Sequence, residues 1–243
     1  MWIIGASTGI GRALAHRLAS QSRTLAVSAR SAERLGTLAQ EHPNMVSHTL
    51  DVTDQEQVAQ AAKRLDMDHG TPDLVIISSG VWHPVKPDAF DPLIFRNAVD
   101  VNFLGVINVL AAIVPKMIKR GSGHIAIIAS VSGYRGLPNA AAYSPMKAAL
   151  INLAESIYPQ LKRQGVDITI INPGFVDTPM TSVNKFPMPF LMTPEEAAKR
   201  ISKGLDRRDY EIAFPTRFAL FLKLLRMLPN RVFFWIINKF VLK

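Results

Sequence analysis

Two kinds of run alternate along the chain. Short β-rich runs, several of them apolar at consecutive positions, occur at residues 2–4, 24–28, 46–50, 74–78, 123–129, 168–172 and 210–213. Longer amphipathic runs separate them, at 12–20, 32–41, 55–66, 92–119, 145–164 and 195–205. The first kind predicts strands and the second helices. In runs such as Leu74-Val75-Ile76-Ile77 the apolar residues are consecutive. A strand with one wet face would alternate, so these strands are expected to be buried on both faces, as in a parallel sheet covered by helices on each side. Regular alternation of strand and helix therefore predicts an α/β fold built on a doubly wound parallel sheet.

Composition narrows the chemistry. The 243 residues are 48% hydrophobic, enough for a large core, and contain no Cys, which excludes disulfides, thiolate metal sites and cysteine nucleophiles. The histidines (16, 42, 48, 69, 83, 124) are scattered without metal-ligand spacing, so no metal site is expected. The N-terminus runs directly into a glycine loop with no charged region or cleavage site before it, so no secretory signal is expected. No apolar run approaches the ~18 residues of a simple membrane span. A net charge of +9 points to phosphate-bearing ligands, anionic membrane surfaces or nucleic acid.

The first predicted strand ends in Gly5-Ala6-Ser7-Thr8-Gly9-Ile10-Gly11, followed at once by a helix. Glycines there let the backbone turn sharply and approach a pyrophosphate at the helix N-terminus, although a bare strand-to-helix turn has the same composition. The Gly-x3-Gly-x-Gly spacing resembles the short-chain dehydrogenase/reductase family in its compact one-domain branch, with Ile4 where the family usually has Thr. The resemblance implies a Rossmann-type dinucleotide-binding fold, with Gly5, Ser7, Thr8, Gly9, Ile10 and Gly11 along the pyrophosphate. After the second strand stands Ser28-Ala29-Arg30-Ser31. Ala29 takes the place of an acid that would receive a ribose 2′-OH, and Arg30 with Ser31 suits a 2′-phosphate, so NADP(H) is expected over NAD(H). Asp51-Val52 matches the family's adenine-contacting pair, while an Asp at this point also suits a helix cap. One departure is Ile77-Ser78-Ser79-Gly80, where the family has Asn-Asn-Ala-Gly; tying the neighbouring strands would fall to the Ser hydroxyls or to water.

Tyr143 and Lys147 are spaced i and i+4, which puts phenol and ammonium on one helix face. A nearby Lys⁺, with the positive nicotinamide in the oxidised state, is expected to favour the phenolate and lower its pKa. Ser130 ends the strand before them, and Asn102 lies in the preceding helix. In the resembled family these four are the catalytic set: Ser130 and Tyr143 bind a carbonyl oxygen, Tyr143 exchanges the proton, Lys147 also holds the nicotinamide ribose, and Asn102 holds a water linking Lys147 to solvent. The resemblance also places Asn172-Pro173-Gly174-Phe175-Val176-Asp177-Thr178 against the nicotinamide, through Pro173, Gly174, Val176 and Thr178. Residues 177–192 then read as a loop over the substrate, with Met180, Phe186, Met188, Phe190 and Met192 as an apolar cover.

Residues 1–214 are thus expected to form the cofactor-binding and catalytic domain, and 215–243 a C-terminal amphipathic helical extension. The extension carries six Lys/Arg and no Asp/Glu, and Pro229-Asn230 divides it into two short helices. An interfacial membrane contact and packing on the domain or on a sister subunit are both open. The charges do not sit among polar residues as phosphate tracking needs, so nucleic acid is not an expected partner. The expected function is an NADP(H)-dependent oxidoreductase acting on a hydrophobic carbonyl or alcohol, as a homodimer or homotetramer. It would be cytoplasmic or peripheral on the inner membrane face. The alternative is a non-catalytic NADP(H)-binding regulator or membrane-associated scaffold.

Overall fold

The computed structural model describes residues 1–184 and 186–242. Seven parallel strands form one sheet: β1 (Trp2–Ile4), β2 (Leu25–Ala29), β3 (Met45–Thr49), β4 (Leu74–Ile77), β5 (Gly123–Ile128), β6 (Val166–Pro173) and β7 (Glu211–Phe214). Their order across the sheet is β3-β2-β1-β4-β5-β6-β7. Each run expected to be a strand is one. Successive residues of a strand face opposite sides. Accordingly Trp2, Ile4, Val75 and Ile77 enter one apolar cluster, while Ile3, Leu74 and Ile76 enter another.

Helices α1 (Gly9–Ala19), α2 (Ala32–Gln40) and α7 (Pro194–Asp206) cover the Ile3 face. Helices α3 (Gln55–His69), α5 (Gly105–Arg120) and α6 (Ser144–Arg163) cover the Trp2 face. Helix α4 (Pro92–Val99) continues into α5 through a π-helical turn, Asp100–Leu104. The continuous helix Pro92–Arg120 is long enough to cross a membrane and contains an 18-residue stretch with a mean hydropathy of 1.8, which corrects the expectation that no apolar stretch approaches a membrane span. Its apolar residues recur on a helix face rather than in a run. Val106, Val109, Leu110, Ile113 and Met117 lie against the sheet, which accounts for the composition.

Beyond β7, α8 (Thr216–Met227) and α9 (Asn230–Phe240) bury Ala219, Leu222, Leu225, Phe233 and Ile237 in the same cluster as α5 and α6. Arg135 fastens the turn between them. Its guanidinium donates to the carbonyls of Leu225 (2.7 Å), Arg226 (3.0 Å) and Leu228 (2.8 Å) and to Asn230 Oδ1 (2.7 Å). It also lies 4.0 Å from the centroid of the Phe233 ring. The inner face of the extension is therefore packed on the domain.

Candidate active site

The strand order reverses between β1 and β4, so the connections leaving their carboxyl ends diverge and open a crevice, as at the switch point of other doubly wound sheets. A cleft of about 380 Å³ lies there. Gly5, Ser7, Thr8, Gly9 and Ile10 line it from the β1–α1 loop, and Ser78, Ser79 and Gly80 from the end of β4. Arg30, Ser31, Asp51 and Val52 close one end. Ser130, Tyr143, Lys147, Pro173, Gly174, Val176 and Thr178 close the other. Of the residues expected to bind cofactor or catalyse, only Gly11 and Asn102 are not on its wall.

Gly11 has a packing role. A Cβ there would stand 2.1 Å from the Gly5 carbonyl oxygen, so its bare backbone lets α1 close onto the end of β1. Gly5 itself has φ +86°, and a Cβ on it would meet Ser79 N at 2.6 Å. The N-cap of α1, Thr8, makes no side-chain capping bond. The first N–H groups of that helix are thus left for an anion. Ser79 Oγ is buried without a hydrogen-bond partner, a donor waiting for a ligand. Of the two ties expected between the neighbouring strands, Ser hydroxyl or water, the Ser79 hydroxyl is therefore not one. Together these features fit a phosphate-bearing dinucleotide.

At the Arg30 end the structure adds Arg34, which the sequence reading missed, one helical turn further on in α2. Ser31 caps α2 by accepting from Arg34 N (3.3 Å). Asp51 accepts from the Thr53 N–H (3.0 Å) and hydroxyl (2.9 Å), and it is Asp54 that caps α3. Asp51 is therefore free of the capping role and remains on the cleft wall.

At the other end, Tyr143 is the N-cap of α6 and Lys147 lies one turn in, with its N–H donating to the Tyr143 carbonyl (3.1 Å). The Lys147 ammonium donates to the Ile128 carbonyl (2.9 Å) and stands 5.3 Å from the Tyr143 ring centroid. Burial pushes Tyr143 up to about 12, with the adjacent Ser130 hydroxyl pulling the other way. Burial alone lowers Lys147 to about 8. Ser130 Oγ accepts from Ser132 N (3.2 Å), which orients the hydroxyl at the end of β5. Asn102, fully buried in the π-helical turn, gives both amide groups to Val81: Oδ1 accepts from Val81 N (2.8 Å) and Nδ2 donates to Val81 O (3.0 Å). A Cβ on Gly80 would lie 3.1 Å from Asn102 Oδ1 and 3.8 Å from Lys147 Nζ, so both groups border one spot.

Trp82 was also missed. Its ring meets Tyr143 edge-on with centroids 5.2 Å apart, and its indole N–H donates to Asn184 Oδ1 (2.9 Å) of the 177–192 loop. Of the five residues expected to cover the substrate, Met180 lines the cleft. Met192 does not: it is buried and exchanges hydrogen bonds with Phe175 and Asp177 backbone. Phe186 and Phe190 face outward against Phe175 and Phe218. Lys185 of that loop and Lys243 of the extension lie outside the described residues. Off the cleft wall, His16, Glu41 and His42 come together, with potential ligand atoms within 4.8 Å of one another, an arrangement sequence spacing did not reveal. Arg12 already pairs with Glu41 there (2.5 Å).

Residues 1–186 match the family described as short chain dehydrogenase. The chain belongs to that family of oxidoreductases. A protein of Myxococcus xanthus named "uncharacterized oxidoreductase" is 35% identical over 235 residues, covering 95% of this chain and 93% of its own. One of Mycobacterium tuberculosis is 28% identical over 238 residues, covering 95% and 94%. Among solved structures, a short-chain dehydrogenase from Streptomyces avermitilis has a TM-score of 0.85 at 24% identity, over 98% of this chain and 96% of its own. ElxO, solved with NADP bound, has a TM-score of 0.77 at 22% identity, over 87% and 96%. These two likenesses are of fold.

Proposed function

We propose that this chain is an NADP(H)-dependent oxidoreductase that interconverts a carbonyl and an alcohol on a hydrophobic small molecule, with Tyr143 as acid and base. The observation that carries the reading is the meeting of Ser130, Tyr143 and Lys147 on the wall of one cleft whose far end presents Arg30 and Arg34. Two guanidiniums with no carboxylate at position 29 suit a 2′-phosphate. The NADP bound by ElxO is consistent with this choice.

The nicotinamide supplies or takes the hydride when bound. Ser130 Oγ and Tyr143 Oη bind the substrate oxygen, and Tyr143, kept protonated by burial, passes its proton to that oxygen during reduction. Lys147 holds the nicotinamide-side ribose, and its charge offsets the phenolate left behind. Asn102 keeps the Gly80–Val81 backbone in place, and the second lone pair of its Oδ1 is where a water restoring the proton belongs. Trp82 and Met180 make the substrate wall apolar. The assembly that goes with this reading is a homodimer or homotetramer through the long helices 92–120 and α6. Its location is cytoplasmic, with residues 215–243 in peripheral contact with the inner membrane face.

Turnover of NADPH and NADH with ketones, aldehydes and ketoacyl thioesters, beside Tyr143→Phe, tests it. The expected result is NADPH-preferring turnover that falls by at least about 100-fold in the variant. Tight NADPH binding with no turnover of any of them would favour the regulator instead. Failure to bind either cofactor would overturn the assignment of the cleft.

A further inference from the structure

We propose that the outer face of α8 and α9, with the apolar rim of the 177–192 loop, docks on an anionic lipid bilayer, and that substrate reaches the cleft from that bilayer. The second half rests on the hydride-transfer reading; the first does not.

Helix α8 is apolar on two sides, and the domain covers only one. Ala219, Leu222 and Leu225 are buried, while Leu220, Phe221, Leu224 and Met227 are exposed. At 100° per residue those four fall within an arc of about 120°, roughly opposite the buried stripe. Helix α9 repeats the pattern, with Phe233 and Ile237 inside and Phe234 and Trp235 outside. Of the nineteen large apolar residues exposed among the described ones, ten lie in this extension and four between residues 183 and 191. Such clustering marks an interaction surface. At 12 and 11 residues the helices are far too short to span a bilayer and suit the interface plane.

Charge selects the occupant. Lys223 is engaged with Glu211, but Arg217, Arg226, Arg231 and Lys239 are exposed, and residues 215–243 contain no acid. A second copy docking through the same face would set these cations against their own kind. An anionic headgroup layer neutralises them while the aromatic side chains enter its acyl boundary. Lys239 Nζ lies 4.9 Å from the Trp235 ring centroid, pairing cation and aromatic at that depth.

The face is continuous with the cleft. Phe190 and Phe175 both meet Phe218 of α8, with centroids 6.1 Å apart in each pair, and Phe186 meets Phe175 at 6.0 Å. Phe175 follows Gly174 of the cleft wall, and the loop carrying Phe186 and Phe190 begins at Thr178 and Met180, on the same wall. A substrate leaving the bilayer at this rim meets apolar side chains up to Met180.

The test uses the full-length protein and vesicles of pure phosphatidylcholine or rich in phosphatidylglycerol, without cofactor. The expected result is binding to the anionic vesicles at least about tenfold tighter than to neutral ones, reversed by high salt, with a blue shift of Trp235 emission. The triple variant Leu220→Glu/Leu224→Glu/Phe234→Glu changes only exposed side chains and should melt unchanged while losing at least about tenfold in vesicle affinity. With NADPH, it should also reduce a short water-soluble aldehyde as the parent does but lose the rate on a long-chain aldehyde held in the anionic vesicles. Absence of vesicle binding at low salt, or equal binding to neutral lipid, would overturn the docking. A dimer that the triple variant splits would assign the face to a second copy. Equal rates of parent and variant on the embedded aldehyde would overturn the access route. If no aldehyde is reduced at all, it is the hydride-transfer reading that fails, and the vesicle result stands by itself.

Discussion

Lys147 is 3% exposed, and its hydrogen-bond partner among the described residues is the neutral carbonyl of Ile128. A cation so enclosed is harder to keep charged, which is why burial lowers it from 10.5 to about 8. Between those values the unfolded chain binds a proton that the folded one has released. Stability therefore rises with pH across that window, and below about pH 8 the folded state carries the full cost of the buried charge. Relative to Lys147→Met, the protein should gain up to about 3 kcal/mol between pH 8 and 10.5 in urea midpoints followed against pH. A flat difference would mean that the ammonium is solvated. Arg34 poses a question of binding rather than stability. If it shares a 2′-phosphate with Arg30, Arg34→Ala should weaken NADPH by about ten- to a hundredfold in equilibrium titrations. NADH should be nearly unaffected. Equal losses for both cofactors would place Arg34 off the phosphate.

Among the elements, the β1–α1 loop shows how a residue outside the cleft controls it. Because a Cβ on Gly11 would press on backbone, at 2.1 Å from Gly5 O, neither side can yield cheaply. Gly11→Ala should push α1 away from β1, lowering the melting midpoint by on the order of 5 °C and weakening NADPH binding together. A loss of affinity with an unchanged midpoint would instead make Gly11 a ligand contact. The inner strands were legible because parallel strands buried on both faces are written as apolar runs, while the edge strands β3 and β7, only partly buried, were legible as β-rich runs between turns, and the loops at the strands' carboxyl ends carry Gly, Ser and Tyr-x3-Lys at fixed offsets. The π-helical turn at Asp100–Leu104 was not, since one extra residue in a helical turn leaves no compositional mark. Arg34 reads as one more solvated charge on an exposed helix. His16 and Glu41-His42 stand at opposite ends of a strand-containing segment and meet only once α1 and the end of α2 cover the same face of the sheet. The tyrosine's upward shift also escaped the sequence, because spacing places Lys147 near the ring but says nothing of the water removed around both.

The molecule as a whole is tied together where β6, β7 and α8 converge on Glu211. Its carboxylate accepts from Tyr134 Oη (2.5 Å) and Asn172 Nδ2 (2.9 Å) and pairs with Lys223 of α8. Burial would raise this carboxyl, but those donors outweigh it and hold it below its usual range. A depressed carboxyl contributes stability that is present above its unfolded value near 4.5 and lost as pH falls through the folded one, so acid should loosen α8 first from this side. From the other side the extension depends on Arg135, ninety residues upstream of the turn it grips, which is why the sequence left the docking of 215–243 open. Arg135→Ala would strip the Leu225, Arg226 and Leu228 carbonyls of their donor and uncover Phe233. Charge-assisted bonds of this kind and the part-buried Leu225 and Leu228 acceptors left behind make a loss of about 2–3 kcal/mol the expected scale. If 215–243 is part of the folded core, the variant should melt at lower temperature and be nicked by protease between α8 and α9 in the same range. An appendage that merely rests on the surface would become protease-sensitive with no change in the midpoint. The first outcome makes the bilayer-facing helices a rigid platform whose position relative to the cleft is fixed; the second would leave the cleft without a fixed orientation to the lipid.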